Sequence, residues 1–85
     1  MTKQEAIQEF ISRVNQLSDS NFGDFKRKTD LALTRMWEIL GHDSKEIDNL
    51  IYGVKKQLVY STGMDIEDAR NLVIDTAEEI KKKIH

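Results

Sequence analysis

The sequence predicts an all-α protein, a compact four-helix antiparallel bundle with helices near residues 2–18, 22–40, 43–62 and 65–84. Three observations lead there. Proline is absent and only four glycines occur in 85 residues, which suits long uninterrupted helices. Apolar residues recur at three- and four-residue steps in four separate stretches. The breaks between those stretches are short and polar, and short connections make sequential helices antiparallel neighbours.

The first helix starts at Thr2, whose spacing from Glu5 is that of a capping box: hydroxyl to the N3 amide, carboxylate back to the cap amide. Ile7, Phe10, Ile11, Val14 and Leu17 form its apolar stripe, and it ends near Leu17 or Ser18. SDSNFGD, Ser18 to Asp24, is the clearest loop, because its side chains compete for local backbone groups. Ser20 or Asn21 caps the second helix, with Asp24 in the first turn where the dipole favours an anion.

The second helix runs to Leu40 on Phe22, Phe25, Thr29, Ala32, Leu33, Met36, Trp37 and Leu40. Leu31 and Ile39 widen this face, which suggests contact with two neighbours. Gly41 stands where a left-handed C-terminal residue is expected. The third helix begins at Asp43 or Ser44, with Asp43 and Glu46 at N-cap and N3 spacing. Its stripe is Ile47, Leu50, Ile51, Val54 and Leu58, interrupted by Gly53, which costs about 1 kcal/mol against alanine and is either a point of close helix approach or neutral.

Gly63 ends the third helix. The fourth starts at Asp65, with Met64 and Ala69 at hydrophobic-staple positions and Glu67 and Asp68 at the positive end of its dipole. Ile66, Ala69, Leu72, Val73, Ala77, Ile80 and Ile84 face inward, and Lys81, Lys82 and Lys83 complement the dipole at the other end.

Length and composition bound the function. Eighty-five residues make a single domain, 1–85, that buries roughly 60–65% of its unfolded surface. Charged residues are 33% and the apolar set 39%, as in an ordinary globular domain. Thirteen Lys and Arg against fifteen Asp and Glu give a net charge of −2, which disfavours nucleic acid as the main partner. With no cysteine, disulfides, thiolate metal sites and cysteine catalysis are excluded, and a reducing compartment is favoured. The amino terminus MTKQEAIQEF is no signal peptide, and no apolar run approaches the ~20 residues that span a bilayer. The expected location is the cytoplasm. Usage rich in Ile, Lys and Asn gives the compositional look of a low-GC bacterium or its phage.

Chemistry is sparse. His42, with Asp43 and Glu46, offers metal ligands in principle, yet no paired-ligand spacing supports a site, and the acids serve better as caps. Acid–base catalysis by His42 would need partners in a pocket. The acidic groups Asp65, Glu67, Asp68 and Glu78, Glu79 read as solvated faces or dipole partners. No phosphate loop or nucleophile motif occurs. The expectation is no enzyme, no cofactor, no metal and no small-molecule substrate.

Two surface readings remain. Met36, Trp37, Tyr52 and Tyr60 are candidate partner-binding residues, since Trp, Tyr and Met are enriched at interface centres. Trp37 either fills the core or faces a partner. Lys26, Arg27, Lys28 and Arg35 are candidate anion-binding residues, and with Lys55 and Lys56 they support a nucleic-acid-associated regulator as an alternative. A helix-turn-helix built on the second and third helices would place Asp43, Glu46 and Asp48 against phosphates, and the electrostatics oppose it.

The stretch FGDFKRKTDLALTRMWEILGHDSKEIDNL resembles a segment in the helical N-terminal regions of some bacterial defence effectors, matching at Phe25, Lys26, Thr29, Leu33, Gly41, Ser44 and Leu50. The final helix, DIEDARNLVIDTAEEIKKKI, looks like the helix that leads into their catalytic or nucleotide-sensing domains. The resemblance covers about half the chain and lacks a defining chemical motif. It implies an accessory or sensing module, free-standing or cut from a longer protein, without enzymatic activity in these residues. The leading expectation is therefore a small non-catalytic protein–protein interaction module, linked to bacterial or phage defence, whose partner is another protein or a second copy. An immunity- or antitoxin-like bundle would share the fold and the chemistry-free mechanism.

Overall fold

The computed structural model describes residues 2–18, 21–41, 44–60 and 63–84. Expectations resting on Ser20, His42, Asp43, Ser61, Thr62 and His85 lie outside the described residues. Four α-helices follow one another: α1 (Lys3–Gln16), α2 (Phe22–Leu40), α3 (Lys45–Tyr60) and α4 (Ile66–Lys83). Each packs on its neighbour in sequence, and α4 returns to close against α1. Cross-links fix the directions: residue 48 meets 37 and residue 55 meets 30 and 34 between α3 and α2, 83 meets 46 between α4 and α3, and 81 meets 8 between α4 and α1. The result is an up-down-up-down four-helix bundle, 35 × 23 × 18 Å.

Helix starts follow the capping chemistry. The Thr2 hydroxyl accepts from the Glu5 amide at 3.1 Å while the Thr2 amide donates to Glu5 Oε1 at 3.3 Å. Hydrogen bonds from the Thr2 side chain and backbone hold the Glu5 carboxyl below its ordinary pKa. Asn21 Oδ1 accepts from Gly23 and Asp24, Ser44 Oγ from Ile47, and Asp65 Oδ1 from Asp68. At the end of α2, Gly41 adopts φ 76° and donates its amide to the Trp37 carbonyl, the conformation that a side chain would strain.

The first helix ends at Gln16 with Leu17 as its C-cap, within a residue of the expected end near Leu17 or Ser18. Leu17 is already extended and its amide turns back to Val14. Its carbonyl is taken instead by Arg70, so a tertiary contact sets this boundary.

The core is the four predicted stripes brought together. Ile7, Phe10, Ile11 and Val14 of α1 meet Phe25, Leu33, Met36 and Leu40 of α2, Ile51, Val54 and Leu58 of α3, and Ala69, Val73, Ala77 and Ile80 of α4. The small residues Ala69 and Ala77 give α4 a low-relief inner face. Thr29 sits fully buried among these groups, and its Oγ1 has no hydrogen-bond partner among the described residues. Gly53 is not a point of close approach: a β-carbon there meets nothing within 4 Å.

Candidate functional site

Helix α2 presents a different set of side chains to each neighbour, and this divides the candidate residues. Toward α3 it turns Lys26, Asp30, Thr34 and Trp37; toward α1 it turns Lys28, Leu31, Ala32, Arg35 and Ile39. The four bases expected to act together therefore do not form one patch. Lys26 and Arg27 line the α3 side and Lys28 and Arg35 the α1 side.

Met36, expected as an anchor, is 2% exposed. It falls on the central stripe of α2 with Leu33 and Leu40, so it packs inward and no partner can reach it. Trp37 stands at the margin of the core. It is half-buried against the core cluster, and its Nε1–H donates to Asp48 Oδ1 at 2.7 Å. The Lys55 ammonium lies 5.6 Å from its ring centroid, donates to Thr34 Oγ1 at 2.7 Å and pairs with Asp30 at 3.3 Å. The α2/α3 edge is thus closed by a polar network that uses the indole as its central plate.

Tyr52 and Tyr60 are on the surface as expected. Tyr52 is 61% and Tyr60 73% exposed, and Val59 beside them is 62% exposed. With Lys56 the tyrosines form an i, i+4, i+8 row, one continuous ridge on the outer side of α3. Val59, seven residues after Tyr52, lies along its flank and also lines an open groove of about 240 Å³ with Lys26, Arg27, Asp30 and Lys55.

A larger open groove, about 520 Å³, lies between α1 and α2. Its floor is Val14, Leu17, Leu31 and Ala32; its rim is Arg13, Gln16, Lys28 and Arg35. Leu31 is 65% exposed despite lying on this wide apolar face. Arg35 makes no hydrogen bond or ion pair to a described residue, whereas Arg13 pairs with Glu9 at 2.5 Å. The lining holds no carboxylate, histidine or thiol, so the groove presents fixed positive charge and an apolar floor.

Arg70 is a structural residue that the sequence reading passed over. Its guanidinium donates to the carbonyls of Val14 and of Leu17 (2.8 Å), closing the end of α1, and stacks 5.4 Å from the Phe25 ring centroid. The one signal available was a cation near the acidic start of a helix, where the dipole does not favour it. Across the bundle, Lys83 reaches Glu46 at 2.5 Å, and this hydrogen bond raises the Lys83 pKa above its ordinary value.

Among the described residues no group of three His, Asp or Glu side chains is placed to hold a metal ion, and no helix is long and apolar enough to cross a membrane. No protein-family model, curated protein or solved structure matches the chain.

Proposed function

We propose that this chain is a non-catalytic helical module that binds another protein through the outer face of α3. The carrying observation is the ridge Tyr52–Lys56–Tyr60 with Val59 alongside, three large apolar or aromatic groups each more than half exposed on one rigid helix. Tyrosine supplies large contact area at small entropic cost and keeps a polar tip, which is why it recurs at interface centres. A helix locked into a bundle core pays little further ordering on binding. The α1/α2 groove lining holds no carboxylate or histidine, and the one carboxylate of the α2/α3 groove, Asp30, is paired with Lys55, which fits a binding role better than a chemical one.

The setting in which to seek the partner is cytoplasmic. A chain without cysteine fits a reducing compartment, and the resemblance of residues 22–50 to defence-effector helices directs the search to bacterial or phage defence proteins. An affinity capture from the source cells, run with wild type and with a Tyr52→Ala/Tyr60→Ala variant, tests the reading. One protein should be enriched at least tenfold on wild type and lost from the variant, with the variant's helical circular dichroism unchanged. Equal capture by both sinks the α3 ridge as the binding face.

A further inference from the structure

We infer that the α1/α2 groove is a second docking site, and that its occupant is an acidic amphipathic helix of a partner protein. The inference rests on the interaction-module reading for the existence of partners, but not on the α3 tyrosines, which lie beyond α2 from this groove.

The argument begins with an excess. Five positions of α2, residues 28, 31, 32, 35 and 39, repeat at steps of three and four and make a second stripe beside the buried one. This stripe is apolar at Leu31, Ala32 and Ile39 and basic at Lys28 and Arg35. Leu31 at 65% exposure and Ile39 at 36% contribute little to the core, so the fold does not require them to be apolar. Facing the stripe across the groove, α1 supplies Arg13, Gln16 and the half-buried Leu17. From Lys28 to Ile39 is about 16 Å along the axis at 1.5 Å per residue, the length of a three-turn helix.

Shape and charge then select the occupant. A valley between two parallel ridges with an apolar floor accepts the apolar face of a helix, read as anchors at i, i+3, i+4 and i+7. The rim carries Arg13, Lys28 and Arg35; Arg13 is paired with Glu9, which lines the continuation of the valley, and Arg35, which makes no ion pair to a described residue, is left open to a ligand. A helix with Glu or Asp beside its apolar stripe would set such an acid against Arg35, where arginine forks a carboxylate in two hydrogen bonds. A basic helix would be repelled, so the rim gives orientation and selectivity more than raw affinity. Nucleic acid fits less well. Its phosphates need a continuous basic track, whereas the bulk of α2 divides its cations between two edges and the floor here is aliphatic rather than aromatic.

A selection on the whole chain tests this. The probe is a displayed library of three- to four-turn amphipathic helical peptides, with Leu, Ile or Phe on the apolar stripe and Glu, Gln or Lys free to vary beside it. Recovered peptides should be enriched in Glu at the flanking positions. They should bind Arg35→Glu and Leu31→Glu at least tenfold more weakly than wild type, and bind Tyr52→Ala/Tyr60→Ala unchanged. Replacing one flanking Glu by Lys should restore binding to Arg35→Glu. Recovery of neutral or basic peptides, or full binding to Arg35→Glu, overturns the groove. So does no enrichment over a chain-free support, or displacement of the peptide by a random single-stranded oligonucleotide at physiological salt. Peptides lost only from the tyrosine variant would overturn the groove while sustaining the α3 reading.

Discussion

The two sides of α2 are built from similar residues and finished differently. Each offers cations beside apolar groups. On the α3 side, Lys55 meets Thr34, Asp30 and the Trp37 ring, and Trp37 meets Asp48, so the stretch of edge around the indole is closed from within, and only the smaller groove beside Lys26 and Val59 stays open. On the α1 side, Leu31 and Arg35 face outward over an open groove. Residue type alone does not separate a structural edge from a binding surface. The separation comes from whether the chain supplies the partners, and variants on each side should therefore differ in what they cost.

The largest effect is expected at the closed edge. Trp37→Ala removes most of a large half-buried side chain, leaves Asp48 without its indole donor and uncovers Lys55, and should cost about 2–3 kcal/mol. Urea unfolding followed by circular dichroism measures it, since the variant loses the chain's only tryptophan. A loss under about 1 kcal/mol would mean that the indole does not hold α2 to α3, and the contrast between the sides would fail.

The α1/α4 edge extends the comparison, because there too a long side chain, Arg70, supplies partners across the helices. Arg70→Met keeps the aliphatic length but strands the Leu17 carbonyl and leaves that of Val14 with only the Leu17 amide, and should cost about 2 kcal/mol by the same measurement. Arg70→Lys should recover only part of this, since one ammonium cannot fork to both carbonyls as a guanidinium does. Full recovery by lysine would show that charge alone, acting on the end of α1, does the stabilising.

The legibility of these edges in the sequence differs for a physical reason. Helix number, order and most boundaries follow from local rules, with the Thr2–Glu5 box, Gly41 and the apolar period all acting within a few residues. The core followed too, because burial tracks period: every stripe position lies buried or half-buried, except Leu31 and Ile39, which were already in excess. What local pattern could not supply was pairing across helices. Met36 and Trp37 are adjacent in sequence, yet 100° of helix rotation sends one to the core and the other to the α3 edge. The bases Lys26 and Lys28 are two residues apart and end on opposite sides for the same reason. Arg70 was missed because its partners lie 53 and 56 residues away.

A change that touches neither side sharpens the comparison by providing a stabler background. Gly53→Ala adds a methyl where nothing lies within 4 Å, in a helix interior, and should raise stability by about 1 kcal/mol through reduced unfolded-chain entropy. Its effect should add to that of Trp37→Ala without coupling, since the methyl meets no side chain of the seam network. A loss of stability would mean that α3 depends on the glycine in a way its surroundings do not display.

The smallest effect is expected in the groove, and it is the most telling. Leu31→Gln and Arg35→Gln keep helix propensity nearly constant, so any change reports tertiary contacts. Leu31 is mostly exposed and Arg35 engages no described residue, so each should shift stability by less than about 0.5 kcal/mol in either direction. If Leu31→Gln instead costs 1 kcal/mol or more, the side chain is covered in solution by something the single chain does not provide. A second copy would reveal itself by a midpoint that rises with protein concentration in wild type and not in the variant. A cost independent of concentration would place Leu31 in the fold, and the groove would then be an edge no more open than the one Trp37 closes.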